Sequence, residues 1–244
     1  MNKVALITGA GTGIGKATAI RLANDGFSVA VCFSRSEQAA QDTVNDIVVN
    51  GGVAKAFQVS IESEGSVKRL FNNVLSHFER IDVLINNAGI GHYGKIKDIT
   101  MDEFDWLFNV NARGTFMMCR EAANCIHDGG SIINISTGAT TANMSGQSLY
   151  TASKLAMEGF TKVLARELGS KQVSVNIVSP GMTDTPLLDG GDREALKAHG
   201  ARAAAMQRCG QPDDIAAAIA GFVSLDCAWV TGQNLRVDGG SVII

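Results

Sequence analysis

Seven short apolar runs of β type alternate with amphipathic stretches along the 244-residue chain, and few architectures accommodate that rhythm. The runs lie at 3–7 (KVALI), 28–33 (SVAVCF), 53–59 (VAKAFQV), 81–85 (IDVLI), 131–135 (SIINI), 173–178 (VSVNIV) and 234–237 (NLRV). Helical patterns occupy about 14–25, 36–49, 63–79, 101–126, 148–169 and 212–223. Nearly continuous apolar strands imply burial on both faces. Strand–helix alternation implies right-handed crossovers into a parallel sheet covered by helices on both sides. The expected fold is therefore α/β, a doubly wound parallel sheet, and ligands of such sheets bind beyond the C-terminal ends of the strands.

Composition narrows the function classes. Only three prolines occur (Pro180, Pro186, Pro212), and no linker or low-complexity tract divides the chain, so one domain over 1–244 is expected. The net charge of −3, with no Lys/Arg stripe, gives nucleic-acid binding no support. Five cysteines without a CxxC pair read as reduced, mostly buried small side chains. The four histidines lack metal-ligand spacing, so no metal site is expected. The N-terminal stretch runs from a strand straight into a glycine turn without a leader-type apolar region, and no apolar run approaches the ~20 residues that span a bilayer. A cytoplasmic location without membrane contact is the simplest expectation.

Chemistry-bearing motifs fall where the strands end. After the first strand comes TGAGTGIGKA, with Gly9, Gly11, Gly13 and Gly15 crowded ahead of a helix, and Thr12 and Ile14 between them. Such a turn lets backbone approach a pyrophosphate, which the helix N-terminus then attracts. Ile14 breaks the strict GxGxxG fingerprint, so a purely structural turn is the competing interpretation. At the end of the second strand, CFSRS carries no acid before Glu37. Ser34 and Arg35 suit a ribose 2′-phosphate, which favours NADP(H) over NAD(H); a solvent-facing arginine is the plainer alternative. Tyr150 and Lys154 lie four residues apart and so share one helical face.

In sequence order, TGAGTGIG (8–15), NNAG (86–89), Asn111 in NVNARG, Ser136 in INIST, YTASK (150–154), SPGMTDT (179–185) and VTGQNLRVDGG (230–240) make the chain resemble the short-chain dehydrogenase/reductases over essentially its whole length. The resemblance implies a Rossmann-type domain. It assigns the pyrophosphate and adenosine end to Gly9–Gly15, the adenine to Gln58 and Val59, the cofactor groove to Asn87, Ala88 and Gly89, and the nicotinamide end to Pro180, Gly181 and Thr183. Gln58 departs from the pattern, where an acid or its amide is commoner. Tyr150 becomes the general acid/base, with Lys154 tuning it and holding the nicotinamide ribose. Ser136 orients the substrate oxygen, and Asn111 holds a water that joins Lys154 to solvent.

Reduction of a carbonyl builds negative charge on its oxygen, and a proton must arrive there. A free tyrosine has a pKa of about 10, so neutral-pH work in the oxidative direction needs roughly 4 kcal/mol of help for a three-unit shift. A neighbouring ammonium and an oxidised nicotinamide both supply it. The stretch 183–205, with Pro186 and Gly190–Gly191, reads as a lid, or else as a long surface loop with a short helix.

The expected substrate is a small or free ketone, or the corresponding secondary alcohol. A 3-oxoacyl group on acyl carrier protein is the second choice, since Arg113 and Lys171 are isolated and make no docking patch. A non-catalytic dinucleotide sensor on the same fold is the alternative of another class, disfavoured because Asn111, Ser136, Tyr150 and Lys154 are all present. Apolar residues on several faces of the helices at 101–126 and 148–169 suggest a subunit interface, and the resemblance implies a homotetramer.

Overall fold

A computed structural model describes residues 2–243. In chain order the elements are β1 (Val4–Thr8), α1 (Gly13–Asn24), β2 (Ser28–Phe33), α2 (Glu37–Val49), β3 (Val53–Gln58), α3 (Glu64–Phe78), β4 (Val83–Asn86), α4 (Met101–Phe108), a π-helical turn (Asn109–Gly114), α5 (Thr115–Cys125), β5 (Ser131–Ile135), α6 (Ala139–Ala142), α7 (Ser148–Glu167), β6 (Ser174–Pro180), α8 (Arg193–Ala203), α9 (Pro212–Val223) and β7 (Asn234–Val237). The strands form one parallel sheet in the order β3-β2-β1-β4-β5-β6-β7. The order reverses between β1 and β4, and a crevice opens beyond their C-terminal ends.

Strand alternation divides the core into two layers. Leu6, Leu84 and Ile132 face one side, packing with Leu70, Val74 and Met118 beneath α3 and α5. Ile7, Ile85 and Ile133 face the other, packing with Leu22, Ile215 and Ile219 beneath α1 and α9. Each such side chain contributes roughly 1.5–3 kcal/mol on full burial.

Three expectations change. β3 is not buried on both faces: it is the sheet's edge, and Val53 is half exposed. β4 starts at Val83 rather than 81, because the Asp82 carboxylate takes the Val4 amide (2.8 Å) and the Arg80 guanidinium ahead of the ladder. The single helix expected over 101–126 is divided by the π-helical turn. There the Thr115 hydroxyl donates to the Asn111 carbonyl (2.9 Å), and Asn111 is rotated fully inside.

The stretch 183–205 holds a 3-10 turn (Pro186–Gly190) and α8. Asp184, just ahead of the turn, ties α8 back to its start. It accepts from Arg193 (2.7 Å) and Lys197 (3.1 Å), which hold its carboxyl below the usual range. Among the described residues no helix is long and apolar enough to cross a membrane, and no cluster of His, Cys, Asp and Glu could hold a metal ion. Cys32, Cys119 and Cys209 are buried, and Cys125 and Cys227 are partly so.

Candidate active site

The crevice is walled by backbone on its β1–β4 side. Thr8, the last residue of β1, accepts the Asn87 and Ala88 amides through its hydroxyl (3.0 and 2.9 Å). The Asn87 side chain donates back to the Thr8 and Gly9 carbonyls (2.9 and 3.1 Å). Gly9 stands at φ +64°, a conformation costly for other residues. A Cβ on Gly15 would sit 2.2 Å from the Gly9 carbonyl oxygen, so that position admits only glycine. Thr12 precedes α1 without capping it through its side chain, and no acid lies in the first turn, so the helix offers its free N–H groups to the crevice. This cradle of glycines around an uncapped N-terminus fits a dinucleotide pyrophosphate. Gly13 lies against Thr185 and Pro186, so the start of the 183–205 segment covers the turn.

At the adenosine end, Ser34 and Arg35 are exposed, and Arg35 makes no ion pair among the described residues. The Gln58 amide nitrogen donates to the Ser34 carbonyl (3.0 Å), which leaves its oxygen to accept from an adenine amino group. Val59 turns its side chain into the core, which leaves only its main chain for a nucleotide. Gly181 abuts Asp238 at the end of β7, the Pro180 carbonyl accepts the Gly138 amide (2.8 Å), and Thr183 is buried with its hydroxyl on the Gly181 carbonyl (2.9 Å).

The opposite wall is built from side chains on α7. Its buried stripe carries Leu149, Ser153, Lys154, Met157, Glu158, Thr161, Leu164 and Ala165. Lys154 is buried, and its Nζ donates to the Ile135 carbonyl (2.8 Å). Burial pulls its pKa down to about 8, against the opposing charge of Glu158. A Cβ on Gly89 would lie 3.2 Å from Lys154 Nζ and 3.2 Å from Asn111 Oδ1; the missing side chain lets Lys154 reach the groove. Asn111 clamps the loop after β4. Its amide donates to the Ile90 carbonyl (2.9 Å) and to Ser153 (3.1 Å), and its oxygen accepts the Ile90 amide (2.9 Å). The amide is thus committed, and only main-chain groups of the π-helical turn remain to hold a water.

Tyr150 is partly buried, and burial raises its phenol above the ordinary value while a hydrogen bond from Thr137 pulls it back. The Lys154 Nζ is drawn to the Ile135 carbonyl, and Thr137 is the side chain hydrogen-bonded to the phenol. One expectation is corrected. Ser136 is not the hydroxyl beside Tyr150: it is buried and donates to Glu158 (2.5 Å). Side chains alternate across a strand, so Ser136 and Thr137 diverge at the end of β5. The Thr137 hydroxyl also accepts the Ala139 amide (3.2 Å). From the sequence, motif position favours Ser136 over Thr137, taken to bond locally, and Glu158 goes unnoticed. Glu158 carried a signal, as an acid one turn after Lys154 on a stripe otherwise bound for the core.

Comparison with known proteins gives a consistent result. The family profile described as enoyl-(acyl carrier protein) reductase matches residues 9–241. Versicolorin reductase of Emericella nidulans is 36% identical over 98% of this chain and 95% of its own. A short-chain dehydrogenase of Burkholderia cenocepacia, solved with NADP, is 38% identical with a TM-score of 0.91, covering 98% of this chain and 97% of that one. The landomycin C-6 ketoreductase LanV, solved with NADP and rabelomycin, is 33% identical with a TM-score of 0.89 over 98% and 96% of the two chains.

Proposed function

The chain belongs to the short-chain dehydrogenase/reductase family of oxidoreductases, and on that premise we propose that it is an NADP(H)-preferring reductase of free, bulky cyclic ketones with Tyr150 as proton donor. The observation that carries this reading is the reach of Lys154 to Gly89 in the groove, with Tyr150, hydrogen-bonded to Thr137, one turn earlier on α7.

A nicotinamide cofactor would supply the hydride that the carbonyl carbon accepts. Gly9 to Gly15 and the α1 N-terminus would hold its pyrophosphate, Arg35 and Ser34 its 2′-phosphate, and Lys154, which reaches the groove at Gly89, its ribose hydroxyls. Thr137 and Tyr150 both donate to the substrate oxygen, which stabilises the growing negative charge where it forms. Tyr150 then yields its proton to that oxygen. Its raised pKa suits it as the acid of the reductive direction, since the phenol stays protonated at neutral pH. Lys154 holds positive charge beside the cleft and steadies the phenolate left behind. The phenolate regains its proton from solvent before the next turnover.

Support for a bulky cyclic ketone comes from the crevice mouth. Tyr93, Met144 and Leu187 are exposed apolar groups. The Tyr93 ring lies so close to Gly146 that a Cβ there would meet it at 2.7 Å, and Leu187 stands over Gly91. Relatives named for versicolorin reduction, and a neighbour holding rabelomycin, favour the same class. A carrier protein finds little positive charge there: Arg193 and Lys197 are neutralised by Asp184, Asp189 and Glu194, Arg113 is bound to the Glu62 carbonyl, and Lys171 lies at the opposite, N-terminal end of the strands, ahead of β6. Phe116, Leu155 and Val163 remain exposed on α5 and α7, which supports assembly into a homotetramer through these helices.

The test is consumption of NADPH and of NADH against polycyclic ketones, keto esters and a 3-oxoacyl carrier thioester, with Tyr150→Phe alongside. Turnover of cyclic ketones with NADPH, lost about a thousandfold or more in the Phe variant, is expected. Turnover of the thioester alone, or full activity of the variant, overturns the reading.

A further inference from the structure

Glu158 is a carboxylate on a buried stripe, where an unpaired charge costs several kcal/mol. The fold gives it one hydrogen-bond partner and one nearby cation outside ion-pair distance. The Ser136 hydroxyl donates to it at 2.5 Å, and the Lys154 ammonium stands one turn earlier on the same face. Ser136 follows Ile135, whose carbonyl holds Lys154 at 2.8 Å. Two consecutive residues at the end of β5 thus grip two successive turns of α7. The Ser136 amide is itself fixed to the Val178 carbonyl of β6 (2.7 Å), so the grip is anchored in the sheet.

Resting on the reading above, we infer that Glu158, held by Ser136, is a positioning residue that fixes a negative charge one turn from Lys154 and keeps it an ammonium while the ketone is reduced. No other charged side chain among the described residues faces Lys154. Asp102 and Asp105 of α4 are exposed, and Glu103 is committed to Thr100 and His92. Arg113 of the π-helical turn is bound to Glu62, and Arg120 of α5 to Glu64 and Glu121. On α5 the Cys119 thiol is buried and pushed up to about 12, so it is neutral. β5, β6 and α6 carry no charged residue, and Tyr150 is the remaining titratable neighbour on α7. The negative charge of Glu158 favours the protonated form of Lys154, against burial. Removing that charge lets the ammonium lose its proton at lower pH.

The variants are Glu158→Gln, which keeps shape and the Ser136 contact without the charge, Glu158→Asp, which keeps the charge, and Ser136→Ala. Two readouts are taken from pH 6.5 to 9.5: kcat for ketone reduction, and the Kd of NADPH by fluorescence, which needs no turnover. In Glu158→Gln the alkaline limbs of both profiles move about one unit towards acid. In Glu158→Asp and Ser136→Ala the limbs stay in place while kcat falls a few-fold, because charge is retained and the grip loosened. Unmoved limbs in Glu158→Gln, or an acid shift in Glu158→Asp, overturn the inference. Circular dichroism reports folding; should the Gln variant not fold, the Asp variant decides by its limb. A wild-type protein inactive on every ketone refutes the functional reading alone, since the binding profile still tests Glu158.

Discussion

The two walls of the crevice are made of different material. The β1–β4 wall is backbone: glycines at 9 and 15, an uncapped helix end, and main chain locked by Thr8 and Asn87. The α7 wall is side chain: Tyr150, Lys154 and Glu158 on successive turns, met by Ser136 and Thr137 from β5. Backbone recognises what every dinucleotide shares, and it tolerates almost no added atom. Side chains set charge and proton position, and they respond by degrees to pH and to substitution.

The sharpest way to break the first wall is Gly15→Ala. Its Cβ would lie 2.2 Å from the Gly9 carbonyl oxygen, and neither group is the free end of a flexible chain. NADPH binding should fall at least a hundredfold in a fluorescence titration, with stability down by about 1–3 kcal/mol in denaturant unfolding. Retained affinity would show that this turn does not hold the pyrophosphate.

The second wall is sharpened by comparing neighbours. Thr137→Val removes the hydroxyl beside Tyr150 and should lower kcat about a hundredfold with NADPH affinity unchanged. Ser136→Ala removes only the grip on Glu158 and should cost a few-fold. The reverse ranking would restore Ser136 as the hydroxyl that orients substrate.

A smaller effect, about tenfold, is expected at the rim of the first wall. Arg35→Ala should weaken NADPH by that factor and leave NADH unaltered, since one exposed charge-assisted contact is lost. Equal weakening of both nucleotides would deny Arg35 a 2′-phosphate.

The mildest prediction links the walls. The Lys154 pKa is depressed to about 8 in the fold, so its ammonium is full below that pH and is lost above it. NADPH affinity should therefore decline several-fold from pH 7 to 9, and Lys154→Met should flatten the profile. A flat wild-type profile would remove Lys154 from the ribose.

The difference between the walls also explains what the sequence disclosed. Glycine spacing and strand–helix alternation are local, so the sheet, the turn at Gly9–Gly15 and the face shared by Tyr150 and Lys154 were legible. Side-chain direction at a strand end was not. Ser136 and Thr137 are adjacent hydroxyls, and only the pairing of Ser136 with Glu158, twenty-two residues on, separates them. The π-helical turn was hidden for a related reason. Its cause is the inward pull on Asn111 from Ile90 and Ser153, which lie on other elements. Gln58 and Val59 lie at the end of β3, where Ser34 engages the Gln58 amide nitrogen and the Val59 side chain joins the core.

The most direct measurement follows the hydrogen itself. The protein is incubated with a cyclic ketone and NADPH deuterated at the transferring face of C4, and the alcohol is read by NMR. The account predicts one deuterium on the carbinol carbon with wild type, and none above background with Tyr150→Phe that still binds NADPH. Alcohol without deuterium, or equal transfer by the Phe variant, would contradict it.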